Sequence, residues 1–274
     1  MKDKASAFNP SNFKLQTSDP QFIKSDAIII RRFDYSETSS IMSLLTRDHG
    51  RMDALAKGAR RGRSIFEGEI DLFARGEAVI LVRQASLHLL TEFSCRERYL
   101  GLRESPQRST AAHYVASVVG DAYPEGHHQP EIFDLTAQTL ARLEHGEVPA
   151  VIAFFQVHLL RLSGLMPDLA DCVVCGGQTG RRVAYSFARG GAVCGKCHQA
   201  GDGATELSGG AISLIKSLAR GVAAERTHIP PALAREAIAF LGKLLASAFE
   251  REPRMLNSLL RSIQAPKARS KETK

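Results

Sequence analysis

The sequence contains no tryptophan, and aromatic residues make up only 7% of its 274 positions, so the strongest stacking side chain is missing from any binding surface it builds. It has no apolar run approaching the roughly 20 residues that span a bilayer. The opening stretch, MKDKASAFNPSNFKLQTSDP, carries lysines but no apolar h-region, so a secretory signal is not indicated and a cytoplasmic address is expected. Five cysteines are too few for a disulfide framework in a chain of this length; four are paired at two-residue spacing and Cys95 stands alone. The nucleotide-cradling Gly-x-x-x-x-Gly-Lys-Ser/Thr loop, His-Glu-x-x-His and Gly-x-Ser-x-Gly are all absent. The carboxylates are scattered, without a paired set for a two-metal nuclease, and no internal repeat is visible. These absences favour a protein that is not an enzyme.

The sequence does contain two kinds of periodicity. Between Ala27 and Glu92, five short apolar stretches rich in β-branched residues read as strands: Ala27–Phe33, Ile41–Thr46, Arg51–Ala56, Glu77–Arg83 and Ser86–Glu92. Five strands in so short a span suggest a small barrel or sandwich, with an OB-like barrel as one candidate closure. After Tyr99 apolar residues recur at helical spacing. Helices are expected from the cap candidates Ser109 and Thr110, from Pro130 to Gly146, and from Pro149 to Gly164, with three more after the last cysteine. The order predicts a flexible extension over 1–25, a five-stranded β-barrel over 26–98 and a helical region over 99–170. A four-cysteine module follows over 171–204, then helices over 205–264 that pack with the first set, and a basic disordered tail over 265–274.

Net charge is +7, with a pI near 9.3, which favours polyanionic partners and nucleic acid above all. The cations concentrate in AKGARRGRS, Ala56 to Ser64, where Lys57, Arg60, Arg61 and Arg63 stand among two glycines with no acid between them. Guanidinium forks on a conformable loop suit phosphate contact, and nothing in the loop reads bases, so binding that is salt-sensitive and independent of sequence is expected. Arg51 flanks the same strand and joins the candidate set. A solvated loop is the plainer alternative. Phe33, Tyr35, Phe66 and Phe73 lie near these strands and could stack on bases, although most are expected to serve the core.

Cys172-x-x-Cys175 and Cys194-x-x-Cys197 enclose 18 residues, a spacing that matches a four-cysteine zinc site. Each pair can set two thiolates on one side of a tight turn, and two such knuckles facing each other make a tetrahedron of sulfur. A redox disulfide needs only one pair, usually in a thioredoxin-like context; iron–sulfur clusters use other common spacings. Iron and a metal-free site remain as alternatives. Four thiolates close the metal's shell, leaving no position for a reacting water, so one structural Zn²⁺ is expected rather than a catalytic one.

Taken together, these stretches resemble the RecO family of bacterial recombination mediators. The resemblance is carried by Tyr35, Glu37, Thr46, Gly50, Lys57-Gly58-Ala59-Arg60 and Ser64, then by YPEGHHQPEIFDLTAQTL, SGLMPDLADCVVCGG, GGAVCGKC and EPRMLNSLLRS in the same order. It covers about Asp26 to Ile263, and the extension before Phe22 is longer than the family's. The resemblance implies an N-terminal OB-fold, a mainly helical C-terminal region and a zinc module within it. It implies a protein that binds single- and double-stranded DNA and anneals complementary strands, even when single-strand-binding protein coats them. With RecR it would help RecA load, in the cytoplasm at the nucleoid and with no membrane partner. Cys172, Cys175, Cys194 and Cys197 carry over as zinc ligands. Because some members lack them, the metal cannot be essential to the activity itself. Lys57, Arg60, Arg61 and Arg63 carry over as DNA contacts. The acidic, apolar C-terminal tail of single-strand-binding protein would dock in a basic-rimmed groove, with Arg142, Arg161, Lys216 and Arg220 as candidates.

Overall fold

The computed structural model describes residues 21–59, 66, 70–84, 87–180, 183–199, 203–221 and 229–264. Arg60, Arg61 and Arg63, most of the expected N-terminal extension and the basic tail lie outside these residues. Five strands close into a barrel in the order β1-β2-β3-β5-β4: β1 Phe22–Asp34, β2 Ser40–Thr46, β3 Gly50–Ala56, β4 Arg75–Leu81 and β5 His88–Glu97. The meander β1-β2-β3 is antiparallel, and the barrel closes through a parallel β3–β5 pairing in which Leu55 faces Leu89.

Burial alternates as a half-buried strand requires, with Met52, Ala54 and Ala56 of β3 pointing inward. The unbroken run Ala27-Ile28-Ile29-Ile30 of β1 has a different cause. Ala27 and Ile29 fill the barrel, whereas Ile28 and Ile30, with Leu45 of β2, belong to the core of the helical region. Both faces of β1 are buried there. Each aliphatic side chain so docked contributes about 1.5–3 kcal/mol.

Two strand boundaries differ from expectation. β1 begins at Phe22, four residues inside the stretch expected to be extension, because Phe22–Ile28 pairs with Leu81–Arg75 of β4. β5 begins at His88 and runs past Glu92 to Glu97, pairing antiparallel with β4, which ends at Leu81.

A 3-10 turn, Leu100–Arg103, leads to α1 Pro106–Ala122, α2 Pro130–His145 and α3 Val148–Leu162. Helix α1 starts a turn before the expected caps: Ser105 is its N-cap, Pro106 opens it, and Thr110 instead donates to the Pro106 carbonyl (2.8 Å). A small sheet then forms from β6 Val183–Ser186, β7 Gly191–Val193 and β8 Thr205–Leu207, so the module extends past its expected end at residue 204. Tyr185 of β6 packs edge-on against Phe240, 5.2 Å between ring centres, which fixes this sheet to α5 Pro231–Ala248. Helices α4 Gly209–Ala219 and α6 Leu256–Gln264 complete the region. No helix among the described residues is long and apolar enough to cross a membrane.

Polar contacts rivet the barrel to the helices. Asp121, at the end of α1, is nearly buried and accepts a hydrogen bond from Arg31; Arg251 and Arg254 lie 3.3 and 3.8 Å away. Arg47 grips Asp134 with two bonds, of 3.2 and 2.8 Å. Gly50 opens β3 at φ +70°, and a Cβ placed there would lie 2.2 Å from the His127 carbonyl oxygen, so only glycine lets the α1–α2 connection come this close.

Candidate metal centre and nucleic-acid face

The first cysteine pair sits on a tight turn closed by the Cys172 N–H to the Gly177 carbonyl and the Gly176 N–H to the Cys172 carbonyl, both 2.8 Å. Gly176, at φ +71°, takes the left-handed conformation that the turn demands. The second pair forms an equivalent turn, with the Cys197 and His198 amides donating to the Cys194 carbonyl at 3.0 and 2.9 Å. β6 and β7 bring the two turns face to face, and the Val173 N–H bonds the Ala192 carbonyl across them (2.9 Å).

All four sulfurs, of Cys172, Cys175, Cys194 and Cys197, lie within 4.8 Å of one another. The Cys175 and Cys194 sulfurs are 3.8 Å apart. A tetrahedron with metal–sulfur bonds of about 2.3 Å has edges of about 3.8 Å. Cys172 and Cys194 are buried, Cys197 is half-buried and Cys175 faces solvent. The Cys194 amide donates to the Cys172 sulfur at 3.3 Å, and this bond is the main reason that the Cys172 thiol is brought down to about 6. Amides of Cys197 and Lys196 likewise lower Cys194. Cys197 is pushed up to about 12, chiefly by its contact with the Cys194 sulfur and then the Cys175 sulfur. Backbone N–H groups therefore support the first thiolates, but the last sulfur needs a cation before it gives up its proton. The residues fit a soft divalent ion held by four thiolates. His198 is not among the converging donors; its Nε2 lies 3.7 Å from Glu206. Four sulfurs around such an ion would leave no position for a reacting water.

The cationic loop leaves the barrel at the end of β3. Lys57 is exposed there, and Arg60, Arg61 and Arg63 follow beyond the described residues. Arg51 has partners within the fold. Its Nη1 donates to the Gly120 carbonyl at 2.7 Å, and Nη2 sits 3.9 Å from Asp53, so the guanidinium lies in the seam with α1. The four aromatics divide cleanly. Phe66 and Phe73 are core residues, 3% and 7% exposed, whereas Phe33 and Tyr35 are 56% and 63% exposed.

The cations proposed for the groove also separate. Lys216 and Arg220 line one cavity of about 430 Å³ beside Ile212 and Gly180. Arg161 lines another, with Glu131, Asp134 and His158, and also donates to the Ala219 carbonyl. Arg142 stacks its guanidinium over the Phe154 ring at 4.4 Å. The nearly buried Asp121, with its three surrounding arginines, has no marker in the sequence, since its partners lie 90 residues before it and 130 or more after it.

Residues 21–99 match the family described as Recombination protein O N terminal, and residues 103–256 the one described as Recombination protein O C terminal. Among similar proteins, the DNA repair protein RecO of Rhodopirellula baltica is 35% identical over 198 residues, which are 70% of this chain and 73% of that protein. The DNA repair protein RecO of Myxococcus xanthus is 31% identical over 222 residues, 81% of this chain and 90% of its own. That of Anaeromyxobacter is 32% identical over 221 residues, 78% and 86%. With barrel and helices matched in the same order as in these relatives, the chain belongs to the RecO family.

Proposed function

We propose that this chain is a DNA repair and recombination mediator. It binds single- and double-stranded DNA, anneals complementary strands coated by single-strand-binding protein and, with RecR, promotes RecA loading at the nucleoid. The observation that carries this reading is the joint match of the barrel and the helical region to the two halves of the RecO family. The physics agrees with it. Two polyanionic strands approach each other only when their charge is neutralised, and that requires cations but no covalent step. Lys57, Arg60, Arg61, Arg63 and Arg51 supply them; Lys57 directly follows β3, and Arg51 lies within it, bonded to the Gly120 carbonyl. The metal held by Cys172, Cys175, Cys194 and Cys197 is Zn²⁺ in a structural role. The domains are an extension over 1–25, the barrel over 26–98, helices over 99–170, the metal module over 171–204, helices over 205–264 and a tail over 265–274.

The acidic, apolar tail of single-strand-binding protein is assigned to the hollow at Lys216 and Arg220. That hollow has Ile212 at its wall and no carboxylate among the described residues of its lining, whereas the cavity at Arg161 contains Glu131 and Asp134. Fluorescence anisotropy with a single-stranded oligonucleotide over a salt series tests the DNA reading. Alanine at Lys57, Arg60, Arg61 and Arg63 should flatten the slope of log K against log salt by about 2.8, at about 0.7 per lost phosphate contact. An unchanged slope would show that these cations do not meet DNA.

A further inference from the structure

We propose that Phe33 and Tyr35 form a stacking platform for unpaired nucleobases, so that a single strand is held on the barrel by its bases as well as its phosphates. The inference rests on the DNA-binding reading above and names the part of the ligand that this face takes.

Both rings stand open, Phe33 near the end of β1 and Tyr35 just past it, 56% and 63% exposed, and neither touches another aromatic ring among the described residues. The barrel interior holds Ile29, Met42, Leu44, Phe66, Ile80 and Phe93, and Phe73 belongs to the helical core. Strand register shows what surrounds the rings. Phe33 faces Ile41 of β2, and Ile41 faces Leu55 of β3, so these three side chains form one outward row. Ile41 and Leu55 are half-buried and give the row an apolar floor.

Two residues on, the Tyr35 N–H bonds the Ser39 carbonyl at 3.0 Å, while Ser40 faces Ala56. Tyr35 directly follows the end of β1 and Lys57 the end of β3, two strands that run in the same direction, so both residues stand at the same end of the barrel. Lys57 is exposed. Two open aromatic rings at the end of the barrel where Lys57 is also exposed suit a ligand with flat apolar groups spaced along an anionic backbone. A single-stranded nucleic acid is that ligand. The acids of this hairpin are Asp34, which alternates to the opposite side of β1, and the exposed Glu37.

The test uses the full-length protein with a thymidine oligomer and a blunt duplex as probes. The F33A/Y35A variant should lose about tenfold or more in affinity for the oligomer, within the about 5- to 150-fold that each stacked base contributes. Its salt slope and its duplex affinity should stay at wild-type values, because duplex bases are already stacked on one another. As the sequence has no tryptophan, Phe33→Trp installs a single reporter whose emission the oligomer should quench and the duplex should not. Unchanged oligomer affinity with an unquenched Trp overturns the proposal, and so does an equal loss on both probes. A self-association that the double variant abolishes at unchanged DNA affinity also overturns it and makes the face a contact between copies. If alanine at the four loop cations weakens binding while F33A/Y35A does not, the stacking idea fails alone. If the wild type binds no oligomer at low salt, the DNA-binding reading itself fails.

Discussion

Replacing Gly50 by alanine should destabilise the protein through two separable effects. At φ +70°, a side chain costs about 1–2 kcal/mol in backbone strain. The new Cβ would also lie 2.2 Å from the His127 oxygen and 2.6 Å from its carbonyl carbon, so a stretch of backbone has to move. That stretch is held against the barrel by the Gly126 N–H to the Arg51 carbonyl of β3 (3.3 Å) and by His88 of β5 beside Glu125 (3.2 Å), so it cannot withdraw freely. Overpacking of this kind adds about 1–3 kcal/mol, for a total of about 2–5 kcal/mol, or a fall in melting temperature of about 4–20 °C for a chain of this size. Gly126→Ala is the matched control. Its φ is +79°, yet nothing lies within 4 Å of the added Cβ, so only the strain of about 1–2 kcal/mol should appear. Calorimetry on both variants reads the difference. If Gly50→Ala and Gly126→Ala melt together, close approach at the barrel–helix seam is not what holds Gly50 in place.

Cys175→Ser should lose the bound metal and lower the melting temperature, read by atomic absorption and calorimetry, while the folded fraction keeps its affinity for DNA; loss of DNA binding by well-folded protein would give the metal a direct role. Asp121→Asn should cost about 2–3 kcal/mol in chemical denaturation, since it leaves Arg31, Arg251 and Arg254 without their shared carboxylate. Combining it with Arg31→Ala should cost less than the two separate losses. His158 has its pKa depressed below 6.5, first by burial, and stacks on Phe154 at 3.8 Å between ring centres. The unfolded chain therefore binds the proton more readily, and stability should fall as pH drops from about 6.5 towards the depressed folded value. His158→Gln should flatten that part of the pH–stability curve.

Local chemistry was legible in the sequence, and long-range partnership was not. The four cysteines could be assigned as one centre because each pair makes its own turn and ligand spacing is a local property. The apolar run at Ala27–Ile30 announced a strand. That its two faces serve different cores depends on α1 lying against the barrel, some ninety residues on. Phe22-Ile23-Lys24-Ser25 falls within the stretch read as extension, and it becomes strand only because β4 supplies its partners. Arg51 read correctly as a cation beside the loop, but its actual acceptor, the Gly120 carbonyl, is invisible at that distance. Phe33 and Phe73 are the same residue type in neighbouring strand and turn. Position on the closed barrel decides that one is open and the other buried.

Annealing of complementary oligonucleotides precoated with single-strand-binding protein tests the account most directly, with wild type compared against the variant carrying alanine at Lys57, Arg60, Arg61 and Arg63. The account predicts annealing by the wild type that weakens as salt rises and falls markedly in the variant, with both proteins equally folded. Equal annealing by the two would contradict it, and so would metal-dependent cleavage of the DNA in place of annealing.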